Sequence, residues 1–322
     1  MMLSNRRQWL QAACAAGAAC AFSSKIDSGG AAAQVASRRK FTMCLTCGSI
    51  GVRADPRKAI DLAHRFGFES IEPAADFLAR LSDDQLQELR SELKQKKLAW
   101  GAAGLPVDFR SDDDAFQASM QRFPEWCRGL QRAGVTRVGT WISPSHKSLT
   151  YVANFRQHAR RLREAAKTLA DHDQRLGLEY VGPKTSWTAT QFPFIHTMAE
   201  MKDLLAEIGQ PNVGFVLDSW HWFNARETEA DLLTLANKDV VSVDLNDAPA
   251  GVPIDQQMDL KRELPCATGV IDVKTFLGAL VKIGYDGPIR AEPFNKALAA
   301  MSAEQAVAAT AAAMKKAFAL VQ

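Results

Sequence analysis

Four acidic residues each follow a short run of apolar residues in the C-terminal half of the chain. Such runs are typical of buried strands, and the carboxyl ends of parallel strands meet at one edge of a sheet. Four carboxylates brought together there would repel one another without a cation between them. Any one of them alone would be explained by an ion pair, but four in register favour a metal site. The predicted metal ligands are Glu179, Asp218, Asp244 and Glu292.

Carboxylate oxygens also indicate which metal to expect. One divalent ion is predicted, with Mn²⁺ or Mg²⁺ preferred and Co²⁺ as a further choice, because these ions take oxygen ligands readily. A structural zinc site would use more cysteine and histidine than this pattern offers.

Side chains next to the acids are candidates for binding a substrate. His221 lies three residues after Asp218 and is flanked by Trp220 and Trp222. We therefore expect His221 to donate a hydrogen bond to the substrate and Trp220 to contribute to the same site. Lys184, on the loop predicted after the fifth strand, either contacts a substrate oxygen or is a solvated surface lysine.

Two further residues are expected to support the metal ligands. Arg290 lies two residues before Glu292, so both side chains point to the same side of a strand. Arg290 would then lie one layer below Glu292 and offset part of the negative charge. Asp247, three residues after Asp244, is expected in a similar supporting position.

The elements that would hold these residues alternate from about residue 40 onward. Short apolar runs alternate with amphipathic stretches, which predicts a parallel sheet with crossover helices. Eight strands and eight helices predict an α/β protein, a single-domain (β/α)8 TIM barrel spanning residues 37–322. In that fold the active site lies at the carboxyl ends of the strands, where the four acids are expected. The predicted strands are 41–47, 69–72, 99–104, 135–142, 177–181, 214–218, 240–245 and 288–292.

The predicted helices follow these strands in turn, and several begin with recognisable capping residues. An open doubly wound sheet is the competing fold, but it would usually have a glycine-rich turn after its first strand. Residues 47–51 match that turn only in part. The predicted helices cover residues 55–66, from 82 onward, 112–133, 151–176, 198–208, 227–237, 271–283 and 302–320.

Residues 1–36 have the features of an export signal and linker. Arg6 and Arg7 precede Trp9 and Leu10, and a weakly apolar stretch and three alanines follow. This segment resembles a twin-arginine signal, which predicts an exported, periplasmic protein. A disordered alanine-rich N-terminus is the alternative. The apolar stretch is too short for a stable membrane span.

The charge balance argues against a nucleic-acid partner. The chain has 322 residues and a net charge of +3, without a long basic stripe. A protein that binds duplex nucleic acid usually clusters lysine and arginine on one face. The expected partner is therefore a small molecule, and the sequence leaves the oligomeric state open.

At these residues the chain resembles the xylose-isomerase-like TIM barrel superfamily, often called sugar phosphate isomerases/epimerases. The resemblance covers about residues 41–320. It rests on the segments Gly177-Leu-Glu179, Leu217-Asp-Ser-Trp-His221, Asp244-Leu-Asn-Asp247, Thr268-Gly-Val-Ile-Asp272, Gly284-Tyr-Asp-Gly-Pro288 and Glu292-Pro-Phe294.

The resemblance implies roles for several residues. In relatives such as the ketose 3-epimerases, glutamate, aspartate, histidine and glutamate hold the metal, and these positions fall on the four acids named above. Asp244 departs from this pattern, so it either ligates, directly or through water, or leaves three protein ligands. The resemblance also implies that Glu179 and Glu292 are the catalytic acid/base pair and that His221 binds a substrate oxygen.

The resulting hypothesis is a metal-dependent sugar isomerase or epimerase that moves a proton next to a carbonyl through an enediolate. An exported enzyme would meet an unphosphorylated sugar or keto-sugar. A lyase or hydrolase of 3-keto-glycosides would use the same proton abstraction, and a non-catalytic sugar-binding barrel would use the acids only as ligands. A related abasic-site endonuclease is disfavoured, because such enzymes place several histidines at strand ends and need a phosphate-binding surface.

Overall fold

The structure is a computed structural model that describes residues 39–322, and all strands of its main sheet are parallel. The predicted export segment lies outside the described residues. The strands are β1 (Thr42–Leu45), β2 (Ser70–Ile71), β3 (Ala99–Trp100), β4 (Ala103–Gly104), β5 (Arg137–Trp141), β6 (Ser145–His146), β7 (Arg175–Glu179), β8 (Phe192–Pro193), β9 (Val213–Asp218), β10 (Val240–Leu245) and β11 (Pro288–Ala291).

The main sheet closes on itself into a barrel. Its strand order is β3-β2-β1-β11-β10-β9-β7-β5-β4, so the two ends of the sheet are β3 and β4. These two strands are parts of one predicted strand, separated by Gly101 and Ala102. A Cβ atom on Gly101 would lie 2.6 Å from the Cys44 Sγ atom, so this strand needs glycine where it crosses β1. The predicted (β/α)8 barrel is thereby confirmed, while β6 and β8 form a small antiparallel pair outside it.

Helices follow the barrel strands as the sequence predicts, and capping residues explain where several begin. Asp55 accepts hydrogen bonds from the backbone N–H groups of Arg57 and Lys58, and Ser82 forms a capping box with Gln85. The helices are α1 (Pro56–Phe66), α2 (Ala75–Arg80), α3 (Asp83–Gln95), α4 (Asp113–Ala133), α5 (Tyr151–Ala170), α6 (Lys184–Trp187), α7 (Met198–Ile208), α8 (Ser219–Asn224), α9 (Glu229–Leu232), α10 (Val273–Lys282), α11 (Lys296–Ala299) and α12 (Ala303–Phe318).

The structure corrects two predicted boundaries around the site. Helix α5 ends at Ala170, because Asp173 adopts a left-handed conformation (φ 57°) and turns the chain. Strand β7 therefore begins at Arg175, two residues earlier than predicted. The helix predicted over 227–237 is reduced to α9, because α8 forms directly after β9 with Asp218 as its N-cap. The sequence analysis also did not predict the short helix α2.

The barrel interior is packed by residues that alternate along the strands. Gly177 on β7 faces Val216 on β9 and Val241 on β10, where an added Cβ would lie 2.8 and 2.9 Å from their side chains. The small residue thus lets the larger ones fill the barrel. Among the described residues, no helix is both long and apolar enough to cross a membrane.

Candidate active site

The four predicted acids lie side by side at one end of the barrel. Their strands, β7, β9, β10 and β11, are consecutive neighbours in the sheet. Asp244 pairs in register with Asp218 on one side and with Arg290 on the other. One carboxylate oxygen from each of Glu179, Asp218, Asp244 and Glu292 lies within 4.8 Å of the others. The strand order therefore brings together all four predicted ligands.

Arg290 bridges two of these acids. Its Nε atom donates a hydrogen bond to Asp244 Oδ1, and its Nη2 atom donates to Asp244 Oδ2 (3.0 Å) and Glu292 Oε1 (3.1 Å). Burial alone would lower the pKa of Arg290, but the adjacent carboxylates raise it well above its usual value. Both oxygens of Asp244 are thus hydrogen-bonded to Arg290, so Asp244 would share its oxygens between this guanidinium group and a metal ion.

A second arginine, Arg262, was not identified from the sequence. It lies on the loop of residues 246–272 between β10 and α10, and its side chain is 2% exposed. Its Nη1 atom donates to Asp218 Oδ2 (2.7 Å) and Glu292 Oε2 (3.1 Å), and Nη2 donates to Asp259 Oδ1 (2.6 Å). This loop has no periodic sequence pattern, so the sequence does not indicate that Arg262 contacts the acids. The only relevant sequence feature of Arg262 is that its loop follows strand β10.

Asn246 fixes two of the acids relative to each other. Its side-chain Nδ2 atom donates to Asp218 Oδ1 (3.0 Å), and its Oδ1 atom accepts from the backbone N–H of Glu292 (2.9 Å). The Trp220 backbone N–H also donates to Asp218 Oδ1 (2.8 Å). Asp218 therefore presents its other oxygen, Oδ2, to the centre of the site.

Glu179 differs from the other three acids because one of its oxygens has no partner. Glu179 Oε1 is buried and makes no hydrogen bond with the described residues. Burial, reinforced by Glu292, Asp244 and Asp218, raises the pKa of Glu179 well above its ordinary value. Burial also raises the pKa values of Asp218 and Glu292 to about 7, although Arg262 opposes both shifts. Acids of this kind can take up and release protons near neutral pH.

His221 faces the same centre with an uncharged ring. Burial lowers its pKa to about 3, so the ring is neutral at neutral pH. Its Nδ1 atom lies 3.2 Å from the Gly182 backbone N–H, and its Nε2 atom lies 3.3 Å from the Arg262 Nη2 donor. A neutral imidazole accepts at only one nitrogen, so only one of these contacts is a hydrogen bond. Nε2 also lies 3.7 Å from Glu179 Oε1 and 3.8 Å from Asp218 Oδ2, and these three residues together could hold a metal ion.

The donor set fits a divalent ion. The four clustered carboxylates outnumber the two guanidinium groups that touch them, so the centre retains negative charge. The unpartnered Glu179 Oε1 atom supplies a free ligand, and Asp218 Oδ2 and a Glu292 oxygen lie close to it. Arg262 contacts both Asp218 and Glu292, so its guanidinium group and a bound ion would share these two carboxylates.

The structure does not bring the remaining predicted residues to the cluster. Lys184 Nζ pairs with Asp255 Oδ2 (3.2 Å) at the surface. Trp220 is fully buried, and the Arg262 guanidinium lies 5.7 Å from its ring centroid. Asp247 instead anchors the 246–272 loop, because its carboxylate accepts hydrogen bonds from the backbone N–H groups of Ala248, Thr268, Gly269 and Ile271.

A cavity of about 560 Å³ opens above the cluster. Its lining includes Glu179, His221 and Glu292, together with Arg110 from the loop after β4 and Trp141 at the end of β5, where it pairs with Glu179. Neither Arg110 nor Trp141 was identified from the sequence, because their types alone do not indicate a role in the site. A neighbouring cavity of about 670 Å³ lies at the ends of β1 and β2, and its lining includes none of the four acids.

Comparison with known proteins places this arrangement in a family. The family model described as xylose isomerase-like TIM barrel matches residues 60–317. The chain is 23% identical over 255 residues to an inosose isomerase of Bacillus velezensis, covering 78% of this chain and 88% of the relative. It is 27% identical over 255 residues to a D-psicose 3-epimerase of Enterocloster bolteae, covering 75% of this chain and 77% of that protein.

Solved structures agree with this assignment. A xylose isomerase domain protein from Alicyclobacillus acidocaldarius superimposes with a TM-score of 0.77 and 29% identity, covering 87% of this chain and 99% of that one. The match of the family model extends over most of the chain and includes all four clustered acids. This chain therefore belongs to the xylose isomerase-like TIM barrel family.

Proposed function

We propose that this protein is a divalent-metal-dependent isomerase or epimerase of an unphosphorylated sugar or keto-sugar. The observation that carries the proposal is the buried pair Glu179 and Glu292, both with raised pKa values, at the two ends of a row of four strands. The relatives named for isomerisation and 3-epimerisation support this reaction class.

The two glutamates are placed to handle a proton from opposite sides of a substrate. Glu179 lies at the end of β7 and Glu292 directly after β11, with β9 and β10 between them. One ionised carboxylate removes the proton next to the carbonyl, and the other, protonated, returns one to the enediolate. The pKa of Glu292, raised to about 7, makes both of its protonation states accessible near neutral pH, and burial of Glu179 raises its pKa and favours its protonated form.

A divalent ion, Mn²⁺ or Mg²⁺ with Co²⁺ as a further choice, would be held by Glu179, Asp218 and Glu292. When bound it supplies electrophilic stabilisation of the developing oxyanion. Asp244, which the sequence also predicts as a ligand, would add a fourth contact while sharing its oxygens with Arg290.

The substrate oxygens would be bound by groups that already point into the cavity. In the tautomer that carries its hydrogen on Nε2, His221 would donate to a substrate hydroxyl or carbonyl, and the 3.3 Å contact of Nε2 with Arg262 Nη2 would then not be a hydrogen bond. Trp220 would act indirectly, as the surface beneath Arg262. Lys184 would contribute only if its surface pair with Asp255 opened.

The test is exchange of a carbon-bound proton in heavy water. With Mn²⁺ and a keto-sugar panel that includes D-psicose, the wild-type protein should incorporate deuterium next to the carbonyl. Glu179→Gln and Glu292→Gln should each lower the exchange rate by at least about 100-fold, the usual contribution of a general acid or base. Glu164→Gln, at an exposed position on α5, is the matched control and should exchange at the wild-type rate.

Exchange that continues in both active-site variants would remove the glutamates from the mechanism. Metal and sugar binding without exchange in the wild type would favour the sugar-binding barrel instead. The choice of an unphosphorylated sugar rests on the predicted export segment of residues 1–36, and sugar phosphates in the same panel test it.

A further inference from the structure

Arg110 lines the same cavity as Glu179 and Glu292 but forms no hydrogen bond with either. It belongs to the loop between β4 and α4. The carbon at the centre of its guanidinium lies 4.2 Å from the ring centroid of Phe109 and 4.2 Å from that of Trp141. Its Nη2 atom donates to Thr140 Oγ1 (2.8 Å) and to the backbone carbonyl of Trp141. Two aromatic rings and two hydrogen bonds thus fix this guanidinium in place.

The positive charge of Arg110 has no anionic partner in the described part of the chain. Arg262 and Arg290 line the same cavity, and each donates to carboxylate oxygens at 3.1 Å or less. Arg110 forms no ion pair within 4.0 Å of a carboxylate of residues 39–322. Its Nε atom is buried without a hydrogen-bond acceptor, and its Nη1 atom donates to none of these residues.

A half-buried cation without an anionic partner is less well stabilised than one in an ion pair, so Arg110 is a candidate for binding an anionic ligand. Burial lowers the pKa of Arg110 to about 10, and the charges of Asp108 and Glu179 offset only part of that shift. An anionic group bound at Nη1 would restore the missing partner. A hydrogen bond to a charged group is stronger than a neutral one, and arginine recognises planar anions well.

We propose that Arg110 binds a carboxylate of the substrate, so that the protein acts on a sugar acid or another polyhydroxy acid. This inference rests on the proposed function and specifies its substrate class. One guanidinium group with one free Nη1 atom matches the single charge of a carboxylate. A phosphate dianion would need more donors, and the cavity wall next to Arg110 is formed by Ala102, Ala103, Gly104 and Leu105.

Two kinds of group with different chemistry thus line the cavity. The carboxylate of the substrate would lie at the Nη1 edge of the Arg110 guanidinium, because Phe109 and Trp141 cover its faces. Its polyhydroxy portion would extend toward His221, Glu179 and Glu292. Anchoring the anionic end would fix which carbon lies between the two glutamates, which is the orientation that proton abstraction requires.

The test compares sugars that differ only in charge. Binding of D-glucuronate, D-glucose and D-glucose 6-phosphate to the full-length protein, in Mn²⁺, is measured by calorimetry, with quinate as a non-sugar hydroxy acid. We expect glucuronate or quinate to bind about 10-fold or more tightly than glucose, the effect of one charge-assisted hydrogen bond. Arg110→Met should abolish this preference, Arg110→Lys should keep part of it, and the exposed Arg122→Met on α4 should keep all of it.

Equal affinity of the wild type for the acids and glucose, or no binding of either acid, would overturn the proposal. A preference for glucose 6-phosphate over both acids would overturn it as well. The heavy-water experiment distinguishes this failure from that of the proposed function. Proton exchange on neutral keto-sugars without a preference for acids would support the proposed reaction and overturn only the carboxylate site. A preference for acids without proton exchange would support the carboxylate site and overturn only the proposed reaction.

Discussion

At the scale of single residues, the site is a balance between carboxylates and guanidinium groups. Asp244 stands where the resemblance implies histidine, and the structure gives the physical reason why an acid is stable there. Its register partner on β11 is Arg290, which donates to both of its oxygens. Arg290 thus offsets part of the charge of Asp244, although it also donates to Glu292 and Asp244 still raises the pKa of Glu179.

The Asp244–Arg290 pair should make a large contribution to stability that depends on both members. Arg290→Met leaves a fully buried carboxylate without its donors, which should lower the free energy of unfolding by about 3–5 kcal/mol. Urea denaturation measures this loss. The double variant Asp244→Asn with Arg290→Met should recover most of it, because no buried charge is then left alone. Equal losses in the single and double variants would contradict the pairing.

At the scale of elements, the four acids were predictable because each stands at the end of a strand and strand ends can be located from the sequence. Alternation of apolar runs and capping residues such as Asp55 and Ser82 located most strands and helices. The helix boundary at Ala170 was missed because it depends on the left-handed conformation of Asp173, a tertiary feature. Arg262 was not predicted because the conformation of the 246–272 loop depends on hydrogen bonds from its backbone N–H groups to the Asp247 carboxylate. No local sequence pattern indicates these bonds.

The packing of β7 against its neighbours also gives an element-scale prediction. Gly177→Ala places a methyl group 2.8 Å from Val216 Cγ2 and 2.9 Å from Val241 Cβ. This overpacking should lower the free energy of unfolding by about 1–3 kcal/mol in thermal or urea denaturation. Gly278→Ala on helix α10 is the control, because its Cβ meets nothing within 4 Å. It should be neutral or stabilise by up to about 1 kcal/mol, and a similar loss in both variants would contradict the packing account.

At the scale of the whole molecule, the barrel joins two sets of residues that no local pattern connects. Strands β7, β9, β10 and β11 supply the acids, whereas the loop after β4 supplies Arg110 and the end of β5 supplies Trp141. The first set was predictable because acids recur at successive strand ends. The second was not, because its significance appears only when the closed sheet brings these loops over the same cavity.

Glu179, Asp218 and Glu292 are proposed to hold a divalent ion in a site where Asp218 and Glu292 gain and lose protons near neutral pH. Metal binding requires ionised carboxylates, and the pKa values of Asp218 and Glu292 are raised to about 7. Protons therefore compete with the ion as pH falls through 7. Without metal, the folded state binds protons at these acids more tightly than the unfolded state does, which adds to the free energy of unfolding. This contribution is fully present below the unfolded-state pKa values and is lost as pH rises through about 7.

The most direct test is calorimetric titration of Mn²⁺ into wild type, Glu179→Gln and the control Glu164→Gln. We predict about one ion per chain for wild type and control, and binding that is about 100-fold or more weaker in Glu179→Gln. Wild-type affinity should fall roughly 10- to 100-fold between about pH 8 and about pH 6. Absence of Mn²⁺ binding in the wild type, or unchanged binding in Glu179→Gln, would contradict the metal site.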